Sequence, residues 1–183
     1  MEGRDGTGLK TEVPWTRVYL PERSPHATEG WYLVYLFSAK GDRVYLSLSQ
    51  GTSRWTGAEF SPRGHDELAK RVAWARPLLK ELCLQRDDLV EDIDLQSVKS
   101  KVAPGYAAGN VIAIEYDRHD MPPERALIED LLYMAALLRA IHHGEDTASH
   151  IPGDAPPRCW TPPTRPPRPL AVGGSPARAK ASD

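Results

Sequence analysis

Apolar and polar positions alternate twice between residues 31 and 49. Trp31, Leu33, Tyr35 and Phe37 interleave with Tyr32, Val34 and Leu36. After "SAKGD", Val44, Leu46 and Leu48 interleave with Tyr45, Ser47 and Ser49. Period two on both arms predicts a β-hairpin, with Gly41 placed where a tight turn needs a positive φ. The first arm is apolar on both faces, which marks a central strand covered from both sides; the second has one polar face. Before the hairpin, "VPWTRVYL" reads as a further strand beginning after Pro14, and residues 21–30 read as a loop with two prolines. Residues 50–65, "QGTSRWTGAEFSPRGH", read as another loop.

The period then changes. Leu68, Val72, Ala75, Leu79 and Leu82 recur at three- and four-residue spacing, which predicts a helix that Pro77 must kink or divide. A short strand is expected at 92–95 ("DIDL"), and "GNVIAIEYD" at 109–117 alternates as a longer one. "MPPERALIEDLLYMAALLRAIHHG" predicts a long helix. Prolines and Glu124 stand at its start, and Arg139, His142 and His143 precede a terminating Gly144, where cations complement the helix dipole. The fold class expected is α+β: a small, mostly antiparallel sheet with helices packed on it.

Composition adds a boundary. Nine of the last 33 residues are proline, and few apolar side chains accompany them. This predicts a disordered or polyproline-like tail that is dispensable for the fold. The expected division is a folded domain over 1–146 and a proline-rich tail over 147–183. From residue 151 on, five Lys or Arg stand against two Asp, so the tail is +3 and the remainder of a chain of net charge −2 is −5. No general basic field draws the domain to nucleic acid, so charge placement has to decide. Cys83 and Cys159 form no disulfide framework, the polar start is not a signal peptide, and no run is long enough to span a bilayer. The default expectation is a soluble cytoplasmic protein.

Several chemistries lack their motifs. There is no Walker loop and no Gly-x-Ser-x-Gly elbow, and the six histidines show no His-Glu-x-x-His spacing. Asp94 and Glu115 suggest a metal-dependent nuclease, but "IEYD" puts Asp117 where that motif wants a lysine. No catalytic residue, metal ligand or cofactor is therefore expected, and the chain is not read as an enzyme.

The hairpin and its approach carry a resemblance. A Gly-x-Gly element (Gly6, Gly8), Val13-Pro14-Trp15, a Thr-x-Gly-Trp-Tyr entry at 28–32 and "VYLFSAKGDRVYLSLSQGT" resemble the MrcB-like N-terminal domain family and the N-terminal domain of McrB, a modification-dependent restriction protein. "GYAAGNVIAIEYDRHDMPPERALIEDLLYMAALL" resembles the family's closing strand and helix. The resemblance covers about residues 3–144. It implies a module that binds duplex DNA carrying a modified cytosine and flips that base into an aromatic pocket. It implies as partners a GTP-driven AAA+ motor and a nuclease subunit encoded separately. By position, Trp15, Tyr32 and Leu36 match pocket-forming residues, Tyr106 matches the aromatic that stacks on the base, and Thr7 stands where McrB has a tyrosine.

An extruded base has two π-faces and a hydrogen-bonding edge, so its pocket needs flat walls and a few polar groups. Tyr32 and Leu36 lie four apart on one strand face, with Val34 between them, so they can line one cavity; Trp15 on the neighbouring strand can form another wall. Phosphate contacts are expected from Lys10, Arg17, Lys40 and Arg43, and from Gln50, Thr52 and Arg54 in the loop after the hairpin. Two other readings stand beside this one: a small-ligand or protein interaction domain without DNA binding, and the nuclease.

Overall fold

The computed structural model describes residues 1–4, 11–55, 58, 60–148 and 150–152. Its main sheet has six strands in the order β1-β2-β3-β4-β8-β7: β1 (Glu2–Arg4), β2 (Trp15–Val18), β3 (Trp31–Phe37), β4 (Arg43–Gln50), β7 (Leu89–Val90) and β8 (Asn110–Asp117). Every neighbouring pair is antiparallel. Helices α1 (His65–Cys83) and α3 (Glu124–Thr147) pack on one face, so the architecture is α+β as the periodicities predict. The turn at the head of the hairpin has Gly41 at φ +70°.

The two sides of β3 separate two cores. Trp31 and Leu33 face α1 and α3, where they meet Val72, Leu79, Met134 and Leu137. Tyr32, Val34 and Leu36 face the other way, onto Val13, Tyr45, Ile93 and Leu95. Each fully buried side chain of this size contributes about 1.5–3 kcal/mol by leaving water, so burying both sides makes β3 the anchor of the sheet. β4 departs from expectation. Its Ser47, Ser49 and Gln50 are buried, because the segment after β7 and the short helix α2 (Ala103–Gly109) close over that face. Their hydrogen bonds are met there: Ser47 Oγ donates to Asn110 Oδ1 at 2.6 Å, and Tyr45 Oη to the Asp94 carbonyl at 3.3 Å.

Four further expectations change. The strand expected at 92–95 is instead at Leu89–Val90, and α2 and β1 have too few periodic residues to have been foreseen. The loop after the hairpin contains a two-stranded ribbon, β5 (Ser53–Trp55) with β6 (Phe60–Pro62). α1 is unbroken by Pro77, because Pro77 and Ala73, whose carbonyl loses its partner, both lie on the water-facing side. α3 runs past Gly144 to Thr147: an added Cβ at Gly144 would lie 2.5 Å from Leu78 Cδ1, so the glycine serves close helix packing and not termination. His142 is correspondingly buried, and burial pushes its imidazole pKa down, so it is not a cation at the helix end.

Near its end the described chain is tied to the domain. Arg23 forms a bidentate pair with Asp146 at 2.7 and 2.8 Å, and Arg71 Nη1 donates to the Pro152 carbonyl at 3.1 Å. The proline-rich segment from 153 on lies outside the described residues.

Candidate functional site

On the face of the sheet away from α1 and α3, the strands leave a cavity of about 620 Å³. Its walls come from separate parts of the chain. β2 contributes Trp15 and Arg17, β3 contributes Tyr32, Val34 and Leu36, and α2 contributes Tyr106. Residues 25–28 close one side, while Thr52 and Ser53, where β4 passes into the β5–β6 ribbon, close another. Strand register explains the convergence. Trp15 lies opposite Leu36 and Arg17 opposite Val34, and residues directly opposite in a ladder project to the same face.

The four described residues expected to form a base pocket, Trp15, Tyr32, Leu36 and Tyr106, thus line one cavity. Thr7 lies outside the described residues. Tyr32 is only 5% exposed and is fastened by its hydroxyl, which lies 2.9 Å from the Ala27 carbonyl and 3.2 Å from the Gln50 carbonyl. Burial drives its phenol pKa well above the ordinary value. Tyr106 is half-buried; burial raises its phenol pKa, against a lowering hydrogen bond from the Trp15 indole. That bond ties the wall on α2 to the wall on β2.

The loop over Tyr32 is itself held. Gly30 sits at φ +68°, and a Cβ there would lie 2.1 Å from the Arg23 carbonyl oxygen, so only glycine fits. The Gly51 amide donates to the Gly30 carbonyl at 2.8 Å, joining the loop to the exit of β4.

A second clamp sets α2. Glu12 accepts hydrogen bonds from Ser97 Oγ at 2.6 Å and from the amides of Lys99 and Ser100 at 2.9 and 2.8 Å. Ser100 Oγ in turn accepts from the amides of Val102 and Ala103. The Ser97 hydroxyl and the Lys99 amide, the two largest causes, lower the Glu12 carboxyl pKa from 4.5 to about 2. A depressed carboxyl stabilises the fold above its unfolded pKa, so this hold is complete above pH 4.5 and is lost as pH falls toward about 2. Glu12→Gln is expected to speed hydrogen exchange of the Lys99 and Ser100 amides at neutral pH, to rates the parent shows only in acid. Unchanged exchange would mean that the loop is held by other contacts.

The cations and polar groups expected to meet phosphate are scattered. Arg17 is 1% exposed and lies inside the site, not on its surface: its N–H groups go to Glu2, to the carbonyl and hydroxyl of Ser24 and to the Pro25 carbonyl. Its guanidinium stacks 3.7 Å over the Tyr19 ring. Gln50 is fully buried between the Leu68 carbonyl and Arg71 Nε. Both corrections have one cause: a polar residue on a central strand faces a core unless that face is open. Arg43 pairs with Glu115 at 3.1 Å and, with exposed Lys40, stands at the turn end of the hairpin. Six residues of strand, about 20 Å, separate Arg43 from Ser49 on the cavity wall. Thr52 lines the cavity, and exposed Arg54 beside it lies 3.5 Å from Glu67. Lys10 lies outside the described residues.

Sequence reasoning missed Glu2, which lines the cavity from β1, and the exposed lysines Lys99 and Lys101 beside cavity-lining Val102. Nothing in a three-residue edge strand or a loop lysine marks it beforehand. Asp94 and Glu115 are engaged elsewhere, Asp94 Oδ1 accepting from the Gln96 amide and Glu115 pairing with Arg43. Among the described residues no group of three or more His, Cys, Asp or Glu is placed to hold a metal ion, and no helix is long and apolar enough to cross a membrane.

A family model described as "MrcB-like, N-terminal domain" matches residues 1–143. The chain belongs to this family. Comparison with curated proteins and with solved structures found no match. In the MrcB-like family the domain is a non-catalytic one, related to McrB-type restriction proteins. The matched span contains every element named above except the last turn of α3.

Proposed function

We propose that this MrcB-like domain is the DNA-binding specificity module of a type IV, modification-dependent restriction system. It binds duplex DNA carrying a modified cytosine and takes the extruded base into the cavity beside β2 and β3. The observation that carries this reading is the convergence of Trp15, Tyr32, Leu36 and Tyr106, from three elements, on one space. Its volume falls within the roughly 300–1,000 Å³ usual for small-molecule sites. Aromatic walls supply about 1–3 kcal/mol of stacking per base, of the same order as the cost of unstacking it from the duplex. The domain does no chemistry in this reading. Cleavage belongs to partners, a GTP-driven AAA+ motor and a nuclease encoded separately.

The duplex lies across the rim. Lys99 and Lys101, on the loop that Glu12 holds, flank the mouth on one side, and Arg54 on the β5–β6 ribbon flanks it on the other. Such cations position DNA without reading its sequence. The test is a titration with two duplexes that differ only in methylation of one cytosine, and tighter binding of the methylated one is expected. Replacing both Lys99 and Lys101 by Ala should weaken both duplexes together and reduce the slope of log K against log salt by about one per lysine. Equal binding of the two duplexes by the parent would favour a small-ligand or protein interaction domain instead.

A further inference from the structure

The cavity is apolar and aromatic except for one charged pair, Glu2 and Arg17. They lie directly opposite each other in the β1–β2 ladder, and both face the cavity. Arg17 is saturated. Nε and Nη2 bond Glu2 Oε2 at 2.9 and 2.7 Å, Nη1 bonds the Ser24 carbonyl and hydroxyl at 3.1 and 3.0 Å, and Nη2 also bonds the Pro25 carbonyl at 3.3 Å. The guanidinium therefore has no donor to offer a ligand. The carboxylate differs: it has about four acceptor sites, and both bonds from Arg17 fall on one oxygen. Its side chain is 31% exposed, against 1% for Arg17. What the pair presents to the cavity is an acceptor, fixed in place and with its charge balanced from behind.

We infer that Glu2 determines which base the cavity accepts by taking a hydrogen bond from an exocyclic amino group on the ring's edge. Cytosine carries such a donor at N4, whereas thymine presents a carbonyl oxygen at the same place. A carbonyl there would face a carboxylate with no proton between them, and leaving both acceptors desolvated disfavours the complex. Stacking walls are indifferent to base identity because every base has a π-face, so the selection has to come from a polar group. The donor at N4 is shared by cytosines modified at C5 and by the N4-monomethyl form. Arg17 is then a positioning residue: buried and stacked on Tyr19, it holds the carboxylate at the cavity wall.

This inference rests on the base-reading proposal, and the experiment separates the two. Four duplexes of one sequence carry, at the read position, cytosine, 5-methylcytosine, thymine or 5-methyl-2-pyrimidinone, which lacks only the exocyclic amino group of 5-methylcytosine. The full chain should bind the 5-methylcytosine duplex about tenfold or more tightly than the pyrimidinone and thymine duplexes, the range for a hydrogen bond to a charged group. Glu2→Gln should weaken the 5-methylcytosine complex and shrink that gap, with little further loss on the pyrimidinone duplex. The pyrimidinone comparison uses the unaltered chain, so it stands even where Glu2→Gln lowers the melting temperature. If the parent prefers 5-methylcytosine to cytosine yet binds the pyrimidinone duplex equally well, the role of Glu2 is wrong and the pocket reading survives. A Glu2→Gln variant that keeps the full gap has the same meaning. If the parent does not distinguish 5-methylcytosine from cytosine, the pocket reading fails and the role of Glu2 falls with it.

Discussion

Tyr32→Ala is expected to cost the domain about 3–5 kcal/mol of stability, the usual range for removing a buried aromatic ring. Tyr32 stands mid-sheet on β3, is 5% exposed, and packs with Val34, Leu36 and Tyr45. Its hydroxyl also fastens the loop at Ala27 to the end of β4 at Gln50. Such a loss is a large part of the roughly 5–15 kcal/mol that holds a typical domain together, and for a domain of this size it lowers Tm by on the order of 10 °C. Tyr32→Phe keeps the ring and loses only the hydroxyl bond, so a decrease of about 1 kcal/mol is expected. Thermal unfolding followed by circular dichroism measures both. A Tyr32→Ala chain that melts with the parent would show that the ring serves the cavity alone. The expected instability also means that Tyr32→Ala is a poor probe of binding, since lost affinity and lost fold arrive together.

Tyr106→Ala gives the second large effect, and it falls on binding. Tyr106 is half-buried and lies at the edge of its core cluster, on a seven-residue helix that is held independently through Glu12 and Ser100. Its removal should leave most of the melting transition intact. Affinity for a methylated duplex should fall about ten- to a hundredfold, the stacking contribution of one aromatic wall. Affinity for an unmethylated duplex rests on phosphate contacts and should change far less. Fluorescence anisotropy at fixed salt reads both. A parallel loss on the two duplexes would assign Tyr106 to general DNA contact, and no loss on either would remove it from the site. Tyr106→Phe should retain most of the preference, because the hydroxyl interacts with the Trp15 indole and the ring face remains.

Much of the fold can be read from local patterns. The hairpin β3–β4, strand β8 and the apolar faces of α1 and α3 each repeat a simple period over many residues, and burial of that period fixes them. β1, β7 and α2 are short elements of two to seven residues, stabilised by what they pair with or pack on, so no period announces them. Gly144 shows the same limit. A glycine after a run of basic residues is an ordinary helix stop, and only the approach of Leu78 makes it a packing site.

By itself the sequence determines the α+β class, the placement of Tyr32, Val34 and Leu36 on one face of a strand, and the nomination of Trp15 and Tyr106 through family likeness. These follow from side-chain spacing along a single element, which backbone geometry sets without reference to the rest of the molecule. Only the tertiary structure decides what each face meets. It turns Arg17 and Gln50 from surface groups into buried ones, moves Lys40 and Arg43 some 20 Å of strand away from the cavity wall, and brings Glu2 from the edge of the sheet to the site. The physical reason is the register between strands distant in sequence. Whether a polar side chain faces water, a partner or a core depends on which segment crosses above it, and that crossing is fixed by the packing of the whole domain.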